Sequence, residues 1–204
     1  MKILLIALLL AAELAFPSLA LPATALRVEG VRFDASAKVG AGKTPPAVLN
    51  GAGIRGVLFI KAYAIALYLP HPAVTVADAL ATTGAKRLQI VTLRKLTAKQ
   101  FAESAVKGIR KNHDEAELAA LNPRIELFRT TVLALGDVPT GTVIRLDWQP
   151  VAVAGEGATR LTVNGRQVGA DVPGEDFYRA LLRIWLGDKP ADGALKAALL
   201  GQVA

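Results

Sequence analysis

A chain of 204 residues without a cysteine can form no disulfide, no thiolate metal cluster and no lipid-modified cysteine anchor, so it must hold together through its core. It is basic, with 24 Lys and Arg against 17 Asp and Glu and a formal net charge of +7. Aromatics make up only 5% of it and none interleave with the densest basic pairs, Arg94-Lys95 and Arg110-Lys111, which excludes a base-stacking nucleic-acid surface.

Residues 1–25 read as a leader that is removed. Lys2 supplies a positive start, Ile3–Ala12 is unbroken and apolar, and Ala23-Thr24-Ala25 offers a small-x-small cleavage site, with Ser18-Leu19-Ala20 as a second. The apolar run is short for a membrane span and Glu13 interrupts it; a retained anchor is the alternative. Export is therefore expected, to the periplasm or a comparable compartment, with residues 26–204 forming one domain. The leader carries one base and one acid, so the exported chain keeps its basic charge, read as mostly solvated surface. A basic protein in that compartment meets anionic lipids and acidic small molecules, and peripheral contact with a membrane is compatible with it.

Leu26–Asp34 alternates around Gly30 as an opening strand or hairpin edge, and Ala35–Ala47, rich in Gly, Lys and Pro, reads as a surface loop. The chain is then organised around Asn50–Pro70. Gly51 and Gly53 suit a tight turn or the close approach of a ligand. From Val57 to Leu69 the sequence predicts one long buried strand, ended by Pro70. Counting by twos puts Arg55, Lys61 and Tyr63 on one face and Tyr68 on the other. An arginine fork and a phenol on one apolar face can seat a carboxylate or a phenolate; equally, Arg55 can pair with an acidic residue while Tyr63 packs in the core.

Thr75–Ala81 predicts a short helix, and Arg87–Leu93 a β-branched strand. Thr97 caps a helix over Ala98–Lys111 whose inner stripe is Phe101, Ala105, Gly108 and Ile109. Gly108 on that stripe means either close helix packing or room for a ligand. Two helices follow, over Asp114–Leu121 and Pro123–Leu135. Thr142–Gln149 alternates as a strand, and Thr159–Val168 is a hairpin about Asn164-Gly165. The stripe Phe177, Leu181, Ile184 and Trp185, stopped by Gly187, marks a long helix, and Gly193–Leu200 a last one. His71 and His113 are isolated loop histidines and form no metal site by spacing; no phosphate loop, nucleophile elbow or paired-carboxylate motif is present, so neither metal nor cofactor is expected.

Two blocks in this order resemble the chalcone isomerase superfamily, specifically its exported bacterial branch. The first is Asn50-Gly51-Ala52-Gly53-Ile54-Arg55, Lys61-Ala62-Tyr63-Ala64 and Leu67-Tyr68-Leu69-Pro70. The second runs from Phe177 to Gly187 and continues through Leu195-Lys196 and Leu199-Leu200-Gly201. The resemblance implies an α+β fold, an open-faced β-sandwich: a large antiparallel sheet packed by helices, with a ligand cleft between them. It includes isomerases that cyclise chalcones, fatty-acid-binding relatives and members without catalysis.

The arginine of the Gly-Ala-Gly-x-Arg segment, used by the isomerases to position a phenolate, is matched by Arg55. Tyr63 matches the fatty-acid binders, where the isomerases carry threonine. The isomerases' helix-borne tyrosine, lysine and asparagine fall at Phe101, Ser104 and Gly108, and a threonine of their C-terminal helix at Ile184. Those substitutions leave a cleft more apolar than catalytic. The first expectation is a non-catalytic protein binding a fatty-acid-like anion through Arg55 and Tyr63. The alternatives are an isomerase using Arg55 as electrophile and an envelope interaction protein with a vestigial cleft.

Overall fold

The structure, a computed structural model, describes residues 24–40, 44–57, 60–151 and 156–202. The expected leader lies outside the described residues except for its last two. In chain order the elements are β1 (Leu26–Val28), β2 (Val31–Phe33), β3 (Ser36–Ala37), β4 (Ala47–Val57), β5 (Ile60–Leu69), α1 (Val76–Ala81), β6 (Lys86–Thr92), β7 (Leu96–Thr97) and α2 (Ala98–Lys111). They continue with α3 (Glu115–Leu133), β8 (Asp137–Val138), β9 (Val143–Pro150), β10 (Gly157–Val163), β11 (Arg166–Gln167), β12 (Val172–Pro173), α4 (Glu175–Leu186) and α5 (Gly193–Leu199).

Eight strands form one curled antiparallel sheet in the order β11-β10-β9-β6-β5-β4-β3, with β12 against β10. This is the large helix-packed antiparallel sheet expected of an α+β chain. Alternation divides the strands cleanly. Ile65, Leu67, Leu88, Ile90, Leu146 and Trp148 face the helices and build the main core. Ala64, Ala66, Tyr68 and Val91 face the other way and pack with Phe33 and Leu49. Tyr68 thus sits on the face opposite Tyr63, as its spacing predicts.

Several local signals act as read. Thr97 and Gln100 form a reciprocal capping box, each side chain bonding the other's backbone N–H at 3.1 Å, and α2 has its predicted bounds. Asn164 and Gly165 take φ of 48° and 82° between β10 and β11, the left-handed pair that a tight hairpin needs.

Three expectations are overturned. Asn50–Gly53 is not a turn but the interior of β4. The long single strand is instead a hairpin: Val57 pairs with Ile60, so the chain reverses between them. The two helices expected after His113 are one, α3, with Pro123 inside it. A proline removes one helical hydrogen bond, but Leu121, Ile125, Phe128 and Val132 bury a continuous stripe across it, and that burial outweighs the break.

β4 carries two irregularities that decide what its neighbours face. Leu49 pairs with Tyr68 and Gly51 with Leu67, leaving Asn50 without a strand partner. Its amide donates to the carbonyls of Ala73 (2.9 Å) and Leu199 (2.7 Å) and accepts from Ala73 N–H (2.7 Å). At the other end Arg55 pairs with Tyr63 and Gly56 with Lys61, which leaves Ala62 as the extra residue of a bulge.

Between the bulges, Gly51, Gly53 and Arg55 share the helix-side face. A Cβ at Gly51 would lie 2.1 Å from the Ala198 carbonyl oxygen, and one at Gly53 would lie 2.8 Å from Leu195 Cδ1. The paired glycines are a seat for α5, the close approach being that of a helix backbone.

Candidate functional site

Between the sheet and helices α2, α3 and α4 lies a cavity of about 600 Å³, within the range of small-molecule sites. Its walls are built by the same alternation that builds the core. Tyr63 and Leu146 come from the sheet, Phe101 and Ala105 from α2, Phe128 from α3, and Leu181, Ile184 and Trp185 from α4. Gly108 belongs to both of its readings. It lines the cavity, and a Cβ there would sit 2.8 Å from Ile184 Cγ2, so it also lets α2 close onto α4. All four positions aligned with helix-borne groups of the isomerases, Phe101, Ser104, Gly108 and Ile184, line this cavity.

Arg55 and Tyr63 do come together, although not for the reason their spacing suggested. They are cross-strand partners on β4 and β5, directly opposite each other on the helix side. Arg55 Nη1 donates to the Gly56 carbonyl and lies 3.4 Å from Asp192 Oδ2, with about a quarter of the Arg55 side chain exposed. The Tyr63 hydroxyl accepts from Trp185 Nε1 at 2.9 Å. Among the described residues that hydroxyl donates to no protein acceptor, so its proton is available to a ligand.

Lys61 is a correction. The bulge at Ala62 reverses the alternation, turning Ala62 and Ile60 toward the cavity and Lys61 away from it, onto Glu29 at 2.7 Å.

Two of the site's polar groups went unread in the sequence. Asp192 caps α5, its Oδ1 accepting from Leu195 N–H at 3.0 Å while Oδ2 faces Arg55. Its signal was present, an aspartate directly before the last predicted helix. An acidic partner for Arg55 therefore exists, and it engages Arg55 without closing the cavity. Trp185 was read only as a core residue, yet its indole nitrogen orients Tyr63. The histidines stay outside: His71 is exposed and His113 Nδ1 lies 2.8 Å from the Ile109 carbonyl. Among the described residues no group of His, Asp and Glu is arranged to hold a metal ion.

Burial pushes the Tyr63 phenol up to about 12, against smaller downward pulls from the Trp185 hydrogen bond and the Arg55 charge. Tyr63 is therefore protonated, a donor and not a base, at any physiological pH. Because the folded state holds this proton more tightly than an unfolded tyrosine of pKa 10.0 does, its contribution to stability is complete below pH 10 and lost as pH rises toward 12. Tyr68, likewise raised to about 12 by burial, adds to the same loss. Phenolate absorbance is expected to appear late in an alkaline titration, accompanied by unfolding, and Tyr63→Phe should make the loss of stability less steep. An ordinary titration near pH 10 with the fold intact would contradict this burial.

A family model described as chalcone isomerase-like matches residues 25–201. No curated protein matches the chain in sequence. Among solved structures, a fatty-acid binding protein of Arabidopsis thaliana superimposes with a TM-score of 0.62 at 18% identity, covering 84% of this chain and 92% of its own.

Proposed function

This chain belongs to the chalcone isomerase-like family, and from that premise we propose that it is a non-catalytic carrier or receptor of a long-chain carboxylate. The observation that carries the reading is an apolar cavity of about 600 Å³ with the Arg55–Tyr63 pair on its wall. The head group accepts from the Arg55 guanidinium and from the free Tyr63 O–H; the tail lies among Phe101, Phe128, Leu181 and Ile184. No aspartate, glutamate or histidine is among the described lining residues, which favours binding over proton abstraction. The fold shared with a fatty-acid binding protein is consistent with this reading, but the ligand class rests on the cavity's own chemistry.

Calorimetry with a chain-length series of carboxylates on delipidated protein tests it. A charge-assisted bond in a partly buried site contributes about 1.5–3 kcal/mol, so Arg55→Ala should weaken binding about 10- to 150-fold. Tyr63→Phe removes a neutral hydrogen bond and should cost about 0.5–1.5 kcal/mol. Asp192→Asn keeps the cap but removes the competing charge, and binding should tighten. Wild type that binds no carboxylate, or Arg55→Ala that binds as tightly, sinks the reading. Rapid cyclisation of a chalcone would replace it with the isomerase alternative.

From the leader expected over residues 1–25 we propose that this binding takes place outside the cytoplasm. N-terminal sequencing of protein recovered from the cell envelope should begin at Leu26. A chain still starting at Met1 argues against export.

A further inference from the structure

The positive charge, scattered in sequence, is gathered in space. Five exposed cations line the cavity mouth: Arg94 and Lys95 from the loop before α2, Lys107 and Lys111 from the edge of α2, and Lys189 from the loop after α4. Arg55 lies deeper, and no acidic residue is among the described lining residues. Of the five, Lys95 is held by Asp137 at 2.6 Å, in a pair more than half exposed. The other four have no carboxylate within salt-bridge distance among the described residues. Beside them Ile60 lies 49% exposed at the head of β5, a large apolar side chain in solvent at the same opening.

One carboxylate needs one cation, and Arg55 with Tyr63 already provides for it. The surplus calls for many negative charges presented together. Exposed lysines and arginines around an opening, with an apolar residue among them, match the headgroup layer of an anionic bilayer, which attracts each basic residue held near its surface. We propose that the mouth of the cavity docks face-on against an anionic phospholipid membrane, so that an amphiphile exchanges between bilayer and cavity without crossing water. This rests on the carboxylate-binding reading for its cargo but not for its contact.

The test is co-sedimentation of the full chain with vesicles of phosphatidylcholine alone or mixed with phosphatidylglycerol, at low and high salt. The apolar segment at Ile3–Ala12 is common to every variant, so the readout is the preference for anionic over neutral vesicles. Wild type should prefer the anionic vesicles and lose that preference as salt screens it. Lys107→Glu with Lys111→Glu should weaken anionic-vesicle binding about 25- to 100-fold, since each basic contact contributes about a factor of five to ten. Lys189→Glu, on a different element, should weaken it independently. Arg166→Glu, exposed on β11 at the far edge of the sheet and outside the cavity lining, should leave it unchanged.

Equal binding to both vesicle types, retained preference in the mouth variants, or an equal loss on Arg166→Glu overturns the proposal. Calorimetric binding of a soluble carboxylate without vesicle preference overturns the docking and leaves the ligand reading standing. Vesicle preference without carboxylate binding supports the docking and removes the cargo.

Discussion

Replacing Lys86 with methionine is expected to destabilise the fold by about 3 kcal/mol, although no part of Lys86 touches solvent or the cavity. Lys86 stands at the start of β6, wholly buried, with Nζ 2.7 Å from Glu175 Oε1 at the first turn of α4. Burial pulls its ammonium below the ordinary lysine value, and the Glu175 contact restores only part of that loss. Intact, the pair therefore contributes little net stability. Broken, it leaves a carboxylate 13% exposed and mostly desolvated. The cost should fall at the low end of the roughly 3–5 kcal/mol typical of such breaks, because Arg179 remains 3.4 Å from Glu175.

Adding Glu175→Gln should recover much of the loss, which urea unfolding of both variants would read. If the single variant unfolds like wild type, breaking the pair does not strand a buried charge. The consequence reaches the cavity, since α4 carries Leu181, Ile184 and Trp185. Its first turn is also tied to α3 by the Arg124–Asp176 pair at 2.5 and 2.6 Å.

Gly51→Ala is expected to cost a comparable amount, about 3 kcal/mol, from one methyl group. The new Cβ would meet the Ala198 and Leu199 carbonyl oxygens at 2.1 and 2.8 Å, both backbone atoms of a packed helix end. No rotamer relieves that contact, so α5 must lift. Asp192 caps α5, so its hold on Arg55 loosens with it, and carboxylate affinity should change together with stability. Gly56→Ala, on the same strand, is the control. Among the described residues its Cβ would meet only the Ile60 carbonyl oxygen, at 3.5 Å, and the substitution should be neutral or stabilising by about 0.4–1 kcal/mol. Equal effects at the two glycines would show that the cost lies in glycine itself and not in the seat for α5.

These two positions show where the sequence was readable. Elements with their own local chemistry were legible: the Thr97 cap of α2, the Asn164-Gly165 hairpin and the Phe177–Trp185 stripe of α4. The β4–β5 reversal was not, because the residues between Val57 and Ile60 are Leu58 and Phe59, and neither is a turn former. Gly51 and Gly53 supplied a turn signal in the wrong place, since a glycine required by a helix far along the chain, Gly193–Leu199, looks like a glycine required by a turn.

Arg55 and Tyr63 were legible only in part. Counting along one strand puts them on one face, whereas they meet across two, and the bulge at Ala62 removes Lys61 from their company. What the sequence could not disclose was convergence: Asp192, Trp185 and the cations of the mouth come from separate elements and share no spacing.

The seat for α5 also sets an order in time. β4 is made early, yet its glycine strip is covered only by Gly193–Leu199, and Asn50 waits for the Leu199 carbonyl. A growing chain therefore has no way to close this face until Gly193–Leu199 has left the ribosome, and contacts so distant in sequence form slowly even then. The element that locks this face is the one whose partners on β4 lie farthest from it along the chain, so the lock sets late in folding.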